Sequence, residues 1–172
     1  MATSKRRNAL GRQEVEPLDS CAARVAALDA LARRDHASED LRRKLLEKGY
    51  DAAVVAPLLD ALRAEKLLDD RRYTENFVAY HAARGQGPIR VRADLRRHGL
   101  EGILVEECLD AFPDWIVHLR KAQQKKFGAN SPSNYADKQR QARFLGYRGF
   151  TSAQIRTALG FDIDLDTETE ET

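Results

Sequence analysis

Apolar residues recur along most of this chain at the spacing of one helix face, and no segment sustains the apolar–polar alternation of a half-buried strand. Near the start, positions i, i+4, i+7 and i+11 are occupied by Cys21, Val25, Leu28 and Ala32. Later stripes consist of Val55, Leu58, Leu59 and Leu62, then Val105, Cys108, Leu109 and Phe112, and finally Ile155, Ala158 and Leu159. The pattern predicts an all-α protein with no β-sheet.

The strongest internal signal is a repeat with a period of 50 residues. A basic residue, a glycine and a large apolar residue occur in this order at 48–50, 98–100 and 148–150. The residue four positions before each glycine is a leucine, namely Leu45, Leu95 and Leu145. The residue six positions after it is β-branched, namely Val55, Val105 and Ile155. Self-similarity of this length indicates stacked copies of one supersecondary unit.

Each copy has the residues that end one helix and begin another. The glycine is expected to adopt the left-handed conformation that terminates a helix, directly after a basic residue in its last turn. Asp51 and Thr151 then stand where the next helix needs an N-cap, whereas Glu101 fits the equivalent place less well. Asp70 is predicted to cap the first helix of the second copy. Pro57 falls inside a predicted helix, where we expect a bend or a late start.

These signals predict about nine short helices in three equivalent units. The first unit is expected over residues 19–68, the second over 69–113 and the third over 114–161. Residues 1–18 are predicted to form a flexible basic leader, and residues 162–172 a disordered acidic tail.

Composition supports helices with much solvated surface, because hydrophobic residues make up 42% of the chain and charged residues 33%. The first residues lack an apolar core of signal-peptide length, and no stretch approaches the length of a membrane span. Cys21 and Cys108 are the two cysteines, far apart in sequence, and we expect both to be small core residues. These features predict a cytoplasmic protein.

The net charge of +2 hides a strong asymmetry along the chain. Residues 19–68 hold nine basic and nine acidic side chains, whereas residues 71–99 hold seven arginines against two acids, or +5. Residues 116–149 hold eight lysines or arginines against one acid, or +7. Residues 100–115 carry −5, and residues 162–172 carry six acids and no base. Such asymmetry indicates charged partners rather than a particular fold.

The basic units supply the candidate residues for contact with a partner. They are Arg90, Arg92, Arg96 and Arg97 in the second unit and Lys125, Lys126, Arg140 and Arg143 in the third. Such clusters favour binding to a phosphate backbone, because neutralising the phosphates releases their condensed counterions. A solvated helix face is the plainer explanation of a charge run, but a unit at +7 favours partner contact. A sequence-specific helix-turn-helix reader is disfavoured, since the helices after the repeated glycines are acidic or neutral.

Catalysis finds little support in the sequence. Asp69 and Asp70 are adjacent and therefore point in different directions, and the four histidines lack the i, i+4 spacing of metal ligands. Gly85-Gln86-Gly87 follows no predicted strand and is interpreted as a turn between helices. We expect no enzymatic activity, no metal and no cofactor.

Three segments carry more specific motifs. The first contains Leu67-Leu68-Asp69-Asp70, Arg72-Tyr73-Thr74-Glu75 and Phe77-Val78. The second contains Gly87-Pro88, Arg90-Val91, Leu95 and His98-Gly99, and the third contains Phe144-Leu145 and Arg148-Gly149-Phe150. In this order they resemble the motifs of RecX, the family of bacterial regulators of the recombinase RecA. The resemblance covers about residues 19–161, although Thr74 replaces a common alanine and His98 a common lysine or arginine.

The resemblance implies both an architecture and a function. RecX proteins are three tandem three-helix units in an elongated, curved molecule that binds along the groove of the RecA–single-stranded DNA filament. They restrain strand exchange, ATP hydrolysis and co-protease activity without an activity of their own. The expectation is therefore a monomeric RecA modulator that acts through its basic units. The alternative is a helical module that binds single- or double-stranded DNA without a dedicated protein partner.

Overall fold

The computed structural model describes residues 17–129, 132 and 134–160, and every regular element within them is an α-helix. In chain order the helices are α1 (Pro17–Arg33), α2 (Ser38–Glu47), α3 (Ala52–Ala64), α4 (Asp70–Ala83), α5 (Pro88–Arg97), α6 (Ile103–Ala111), α7 (Trp115–Phe127), α8 (Tyr135–Tyr147) and α9 (Ser152–Leu159). The predicted all-α fold of three-helix repeats is confirmed. The predicted acidic tail lies outside the described residues, as does the leader apart from its last two residues, where α1 already begins.

The described chain divides into two compact units, the first ending at Tyr73 and the second beginning at Thr74. In the first unit α1, α2 and α3 pack against one another. Its core consists of Ala23, Ala27, Ala30, Leu41, Leu45, Val54, Val55, Leu58, Leu59, Leu62 and Leu68. The α3 stripe predicted from the sequence therefore lies in this core.

In the second unit α5 packs against α6, and α7, α8 and α9 pack against one another. Its buried apolar side chains include Val78, Val91, Leu95, Leu100, Val105, Leu109, Trp115, Leu119, Leu145, Phe150 and Ile155. The indole nitrogen of Trp115 donates a hydrogen bond of 3.0 Å to the carbonyl of Leu109, which fixes the start of α7 against the end of α6.

The repeated glycines end α2, α5 and α8 in the same way. Gly49, Gly99 and Gly149 have φ angles of 91°, 76° and 86°, the left-handed conformation predicted for them. After α2, the Gly49 N–H bonds the carbonyl of Leu46 at 2.9 Å, and the Tyr50 N–H bonds that of Leu45 at 3.2 Å. The equivalent pairs of bonds close α5 and α8. This is the Schellman motif, which a hydrophobic contact between the C3 residue, here the leucine, and the residue after the glycine frequently accompanies.

The helix starts agree with the sequence at two repeats and differ elsewhere. The Asp51 carboxylate accepts from the Ala53 N–H at 2.9 Å, and Thr151 forms a capping box with Gln154. Glu101 is not a cap: Gly102, at φ 79°, precedes α6. Because only a residue that tolerates positive φ fits this position, glycine replaces the usual polar cap.

Asp70 does not cap α4, in contrast to the prediction. Asp69 does so by accepting from the Arg72 N–H at 3.0 Å. The Asp70 carboxylate instead accepts from the Ser38 N–H at 2.7 Å, at the start of α2. Asp70 therefore satisfies a backbone donor of a helix 32 residues earlier, a role that depends on tertiary packing.

The predicted face of α1 is also wrong. Its buried residues are Ala23, Ala27 and Ala30, whereas Val25 is 55% exposed and Cys21 is exposed. Alanine stripes allow neighbouring helices to approach closely, so packing selected the small residues over the larger ones. Cys108 is buried as expected. The helix α3 begins at Ala52 and contains Pro57, so the late start expected near this proline is not observed.

Close backbone contact joins α5 to the turn that ends α8. The Gly87 N–H donates to the carbonyl of Arg148 at 2.7 Å, and the Ile89 N–H donates to that of Gly149 at 3.0 Å. A Cβ on Gly87 would lie 2.3 Å from the Gly149 backbone, and one on Gly149 would lie 2.5 Å from the Arg90 Cβ. The predicted Gly85–Gly87 turn therefore also serves as a helix-docking segment.

Candidate functional site

The first predicted cluster lies on α5, where Arg92 is committed to an ion pair. Its Nε and Nη2 donate to the two carboxylate oxygens of Glu106 on α6, at 2.7 and 2.6 Å. This hydrogen-bonded pairing raises the pKa of Arg92 and lowers the pKa of Glu106. The bidentate geometry suits guanidinium and carboxylate, and it links two neighbouring helices.

The remaining arginines of α5 also lie near carboxylates. Arg97 Nη1 is 2.9 Å from Oδ1 of Asp94, and Arg90 Nε is 4.0 Å from Oδ2 of the same carboxylate. Arg96 Nε is 3.5 Å from Glu101. The α5 cluster is therefore exposed but partly neutralised by its own surroundings.

The second predicted cluster lies on α7 and α8 and differs in this respect. Lys125, Lys126 and Arg143 are exposed and form no ion pair with any carboxylate in the described part of the chain. Arg140 pairs with Asp137, one turn earlier on α8, at 3.0 Å. The positive charge of this cluster is therefore the less compensated of the two.

Three of these cations share a shallow depression with three aromatic rings, and we call this surface the α7–α8 face. It is lined by Lys126, Phe127, Arg140, Arg143, Phe144 and Tyr147. The Phe127 and Phe144 rings meet edge to face, with centroids 5.3 Å apart and planes at 89°. The Arg140 guanidinium lies over Phe127 at 5.5 Å. Cationic groups thus stand beside aromatic carbon at one surface.

Packing between the two helices fixes this arrangement. Gln123 on α7 donates a hydrogen bond of 2.7 Å to the side chain of Gln141 on α8, and Gln141 is buried. At the end of α8, the Arg148 guanidinium lies over the Phe144 ring at 5.3 Å and donates to the carbonyl of Arg84 at 3.4 Å. The α7–α8 face is therefore built on rigid helices rather than on a loop.

The aromatic members of the face were not among the residues predicted from the sequence. Their spacing carried a signal, because Arg140 and Phe144, like Arg143 and Tyr147, stand four residues apart on one helix. Residues at this spacing share a helix face. A search for aromatic residues interleaved with the basic ones would have found them.

The other candidate groups have structural roles. Asp69 and Asp70 cap two different helices, and the described residues hold no group of three or more His, Cys, Asp or Glu side chains placed to bind a metal ion. His81 hydrogen-bonds Gln86 and stacks on Phe77, with ring centroids 4.0 Å apart. No helix within the described ranges is long and apolar enough to cross a membrane.

Family models match the chain in three consecutive segments. The first three-helix domain of RecX matches residues 23–62, the second matches residues 69–109, and the third matches residues 116–159. Each match covers one of the three repeats, and together they span most of the chain.

Curated relatives and solved structures agree with these matches. The Regulatory protein RecX of Halorhodospira halophila is 44% identical over 138 residues, covering 80% of this chain and 86% of the relative. That of Ectopseudomonas mendocina is 40% identical, covering 78% and 90%. The crystal structure of RecX from Lactobacillus salivarius shares the fold, with a TM-score of 0.74 at 18% identity over 84% of this chain and 97% of that one. The chain therefore belongs to the RecX family.

Proposed function

We propose that this chain is a non-enzymatic modulator of RecA. It binds the groove of the RecA–single-stranded DNA filament through its basic helical repeats and inhibits strand exchange, ATP hydrolysis and co-protease activity. The observation that carries the proposal is the α7–α8 face of a RecX family member, where Lys126 and Arg143 are exposed without an ion-pair partner among the described residues. Such cations attract phosphate or acidic protein surface.

The proposed mechanism depends on repeated units in both the filament and this chain. A filament presents the same protein and phosphate groups at regular intervals. A chain of three small repeats can engage several of them, and linked contacts sum to much tighter binding than one alone. A protein that bridges neighbouring filament subunits opposes the movements that strand exchange and ATP hydrolysis require.

The eight predicted contact residues do not contribute equally in this proposal. Arg92 would have to give up two charge-assisted hydrogen bonds to Glu106 before binding a phosphate. Lys125, Lys126 and Arg143 have no such partner in the described chain. We therefore assign the larger share of binding to α7 and α8, and a smaller share to Arg90, Arg96 and Arg97.

Charge reversal tests the proposal through RecA's DNA-dependent ATP hydrolysis. The test variant carries Lys125→Glu, Lys126→Glu and Arg143→Glu. The matched control reverses three exposed cations of the first repeat, Arg33, Arg34 and Lys48. The test variant is expected to lose inhibition by about tenfold or more at moderate salt, because reversal replaces attraction by repulsion. The control is expected to inhibit like the unmodified protein.

Equal inhibition by the test variant and the unmodified protein would contradict the role of α7 and α8. Loss of inhibition only in the control would move the contact to the first repeat. Helix content and thermal stability, measured for both variants, verify that any loss is not a loss of folding. Most of these positions lie in or next to the last turn of a helix, where reversing a cation costs on the order of 1 kcal/mol or less per residue, and the control variant shares this cost with the test variant.

A second function is favoured by one observation, the presence of aromatic rings among the cations of the α7–α8 face. Proteins that bind single-stranded nucleic acid without a protein partner combine these two kinds of group. The chain would then act on DNA by itself, without a dedicated protein partner.

A further inference from the structure

Tyr147 is an aromatic residue that the fold does not use. It is the last residue of α8, and 83% of its surface is exposed. An exposed ring stabilises the folded state little, since stabilisation follows the apolar area removed from water. The ring nevertheless stands beside Lys126 and Arg143, in the depression where charge favours an anion.

We propose that the α7–α8 face binds single-stranded nucleic acid directly, with an unpaired base stacked on Tyr147 and the neighbouring phosphates held by Lys126, Arg140 and Arg143. This inference deepens the proposed function, since it names the group in the filament that the face contacts. It also predicts binding in the absence of RecA, so it can be tested separately.

The geometry suits a base with its phosphates. Tyr147 follows Arg143 by four residues and Phe144 by three, so the three side chains lie on one side of α8. Phe127 and Phe144, half-buried and edge to face, form the floor of the depression. The outer ring is therefore open to a flat ligand while the cations beside it are within reach of that ligand's backbone.

Gly146 supports the same interpretation. It lies inside α8, where glycine is unfavourable relative to alanine, and it does not have the positive φ that would require glycine. A Cβ at this position would meet no atom within 4 Å. Packing within the protein therefore does not demand a glycine beside Tyr147. Its effect is to leave the surface next to the ring without a side chain, where a ligand can approach closely.

The series of rings and cations continues beyond the depression. The Arg148 guanidinium lies over Phe144 and hydrogen-bonds the carbonyl of Arg84. The Arg84 guanidinium in turn lies 5.4 Å from the ring of Tyr80, which is 58% exposed. A second exposed tyrosine thus stands beside its own cation, outside the depression.

The class of ligand follows from the requirement that it contact both the cations and the exposed Tyr147 ring. Duplex DNA keeps its bases stacked inside, so it would contact the cations but not the Tyr147 ring. The carboxylates of an acidic peptide would satisfy the cations but present no flat π-face to the ring. Unpaired bases present a π-face to an aromatic ring whatever their sequence, and their phosphates satisfy the lysine and arginines. Single-stranded nucleic acid is the ligand that uses the whole face.

The test measures binding of the unmodified full chain to four fluorescent probes of equal length, without RecA. The probes are oligodeoxythymidylate, oligouridylate, an abasic strand with the same phosphates, and duplex DNA. Both base-bearing single strands are expected to bind more tightly than the abasic strand, by at least about fivefold, the lower end of one aromatic–base stack. The tighter of the two identifies DNA or RNA as the preferred source.

Variants at two tyrosines locate the stack. Tyr147→Ala is expected to weaken oligodeoxythymidylate binding by about fivefold or more and to leave abasic binding unchanged. Tyr147→Phe, which keeps the ring, is expected to restore binding. Tyr135→Ala, at a 66% exposed tyrosine of the same helix outside the depression, is the matched control and should bind normally.

Salt dependence separates the ring from the cations. Lys126→Ala is expected to reduce the slope of log affinity against log salt by about 0.7, the value for one phosphate of a single strand, whereas Tyr147→Ala leaves the slope unchanged. Equal affinity for base-bearing and abasic strands, a preference for duplex, or normal binding by Tyr147→Ala would overturn the inference. None of these results affects the test of the proposed function, because inhibition of RecA through charge needs no base contact.

Discussion

At the scale of single residues, His36 is a buried histidine without a hydrogen-bond partner. Only 3% of its surface is exposed, and neither ring nitrogen bonds any group in the described chain. Burial lowers its pKa because it disfavours the charged imidazolium, and the charges of Arg34 and Lys44 act in the same direction. The carboxylates of Asp35 and Asp40 oppose this shift without reversing it.

This lowered pKa predicts acid sensitivity of the folded state. In the unfolded chain His36 should titrate near the ordinary value of about 6.5, so between that pH and its lower folded pKa the unfolded state binds more protons. The free energy of unfolding should therefore be fully retained above about pH 6.5 and fall as the pH drops below it. In His36→Phe, which cannot titrate, the fall should be smaller.

Denaturant unfolding between about pH 7.5 and about pH 5 measures this difference. Identical pH profiles for His36→Phe and the unmodified protein would show that His36 does not govern this loss.

At the scale of elements, the glycines that end α2 and α8 share a backbone conformation but differ in what surrounds their Cβ positions. Gly49 and Gly149 have nearly the same φ, at 91° and 86°, and make the same Schellman bonds. The Cβ position of Gly49 is open, whereas that of Gly149 lies 2.5 Å from Arg90 Cβ and 2.6 Å from Arg90 N. Substitutions at the two glycines therefore separate the energetic cost of backbone strain from the cost of disrupting helix docking.

Gly49→Ala is expected to lower the free energy of unfolding by about 1 kcal/mol, the cost of placing a side chain at positive φ. Gly149→Ala should incur the same strain and in addition separate α5 from the turn after α8. Its total cost should exceed that of Gly49→Ala by about 2 kcal/mol or more. Urea unfolding of the two variants gives both values. Equal losses would mean that α5 does not dock closely on this turn.

Elements defined by local bonds were predictable from the sequence. The leucine, glycine and apolar residue of each repeat are the C3, C′ and C″ positions of a Schellman motif, whose hydrogen bonds span only a few residues. The caps at Asp51 and Thr151 are equally local. These short-range requirements explain why the three repeats and their helix ends could be found without a structure.

Features that depend on packing could not be found in the same way. Two stripes of α1 have helical spacing, and only contact with α2 and α3 decides that the one containing Ala23 and Ala27 is buried. The pairing of Arg92 with Glu106, 14 residues away, likewise follows from the packing of α5 on α6. The sequence therefore predicted eight cationic candidates but not which of them keep an uncompensated charge.

At the scale of the whole molecule, charge is divided among the repeats. Residues 19–68 are neutral overall, with nine basic and nine acidic side chains, and most of their carboxylates cap a helix or pair with an arginine. Residues 116–149 carry +7, and the α7–α8 face collects part of this charge beside aromatic rings. Binding is therefore expected to be concentrated in the third repeat.

The proposed partner is a RecA filament rather than DNA alone, and one comparison of affinities tests this directly. Binding of the chain to a fluorescent single strand is measured at the same moderate salt, once with the strand naked and once coated with RecA. Because protein contacts add to those with phosphate, the RecA-coated strand should bind at least about tenfold more tightly. The reversals Lys125→Glu, Lys126→Glu and Arg143→Glu should weaken that binding. Equal or tighter binding to the naked strand would contradict the claim and favour a nucleic-acid-binding module that needs no protein partner.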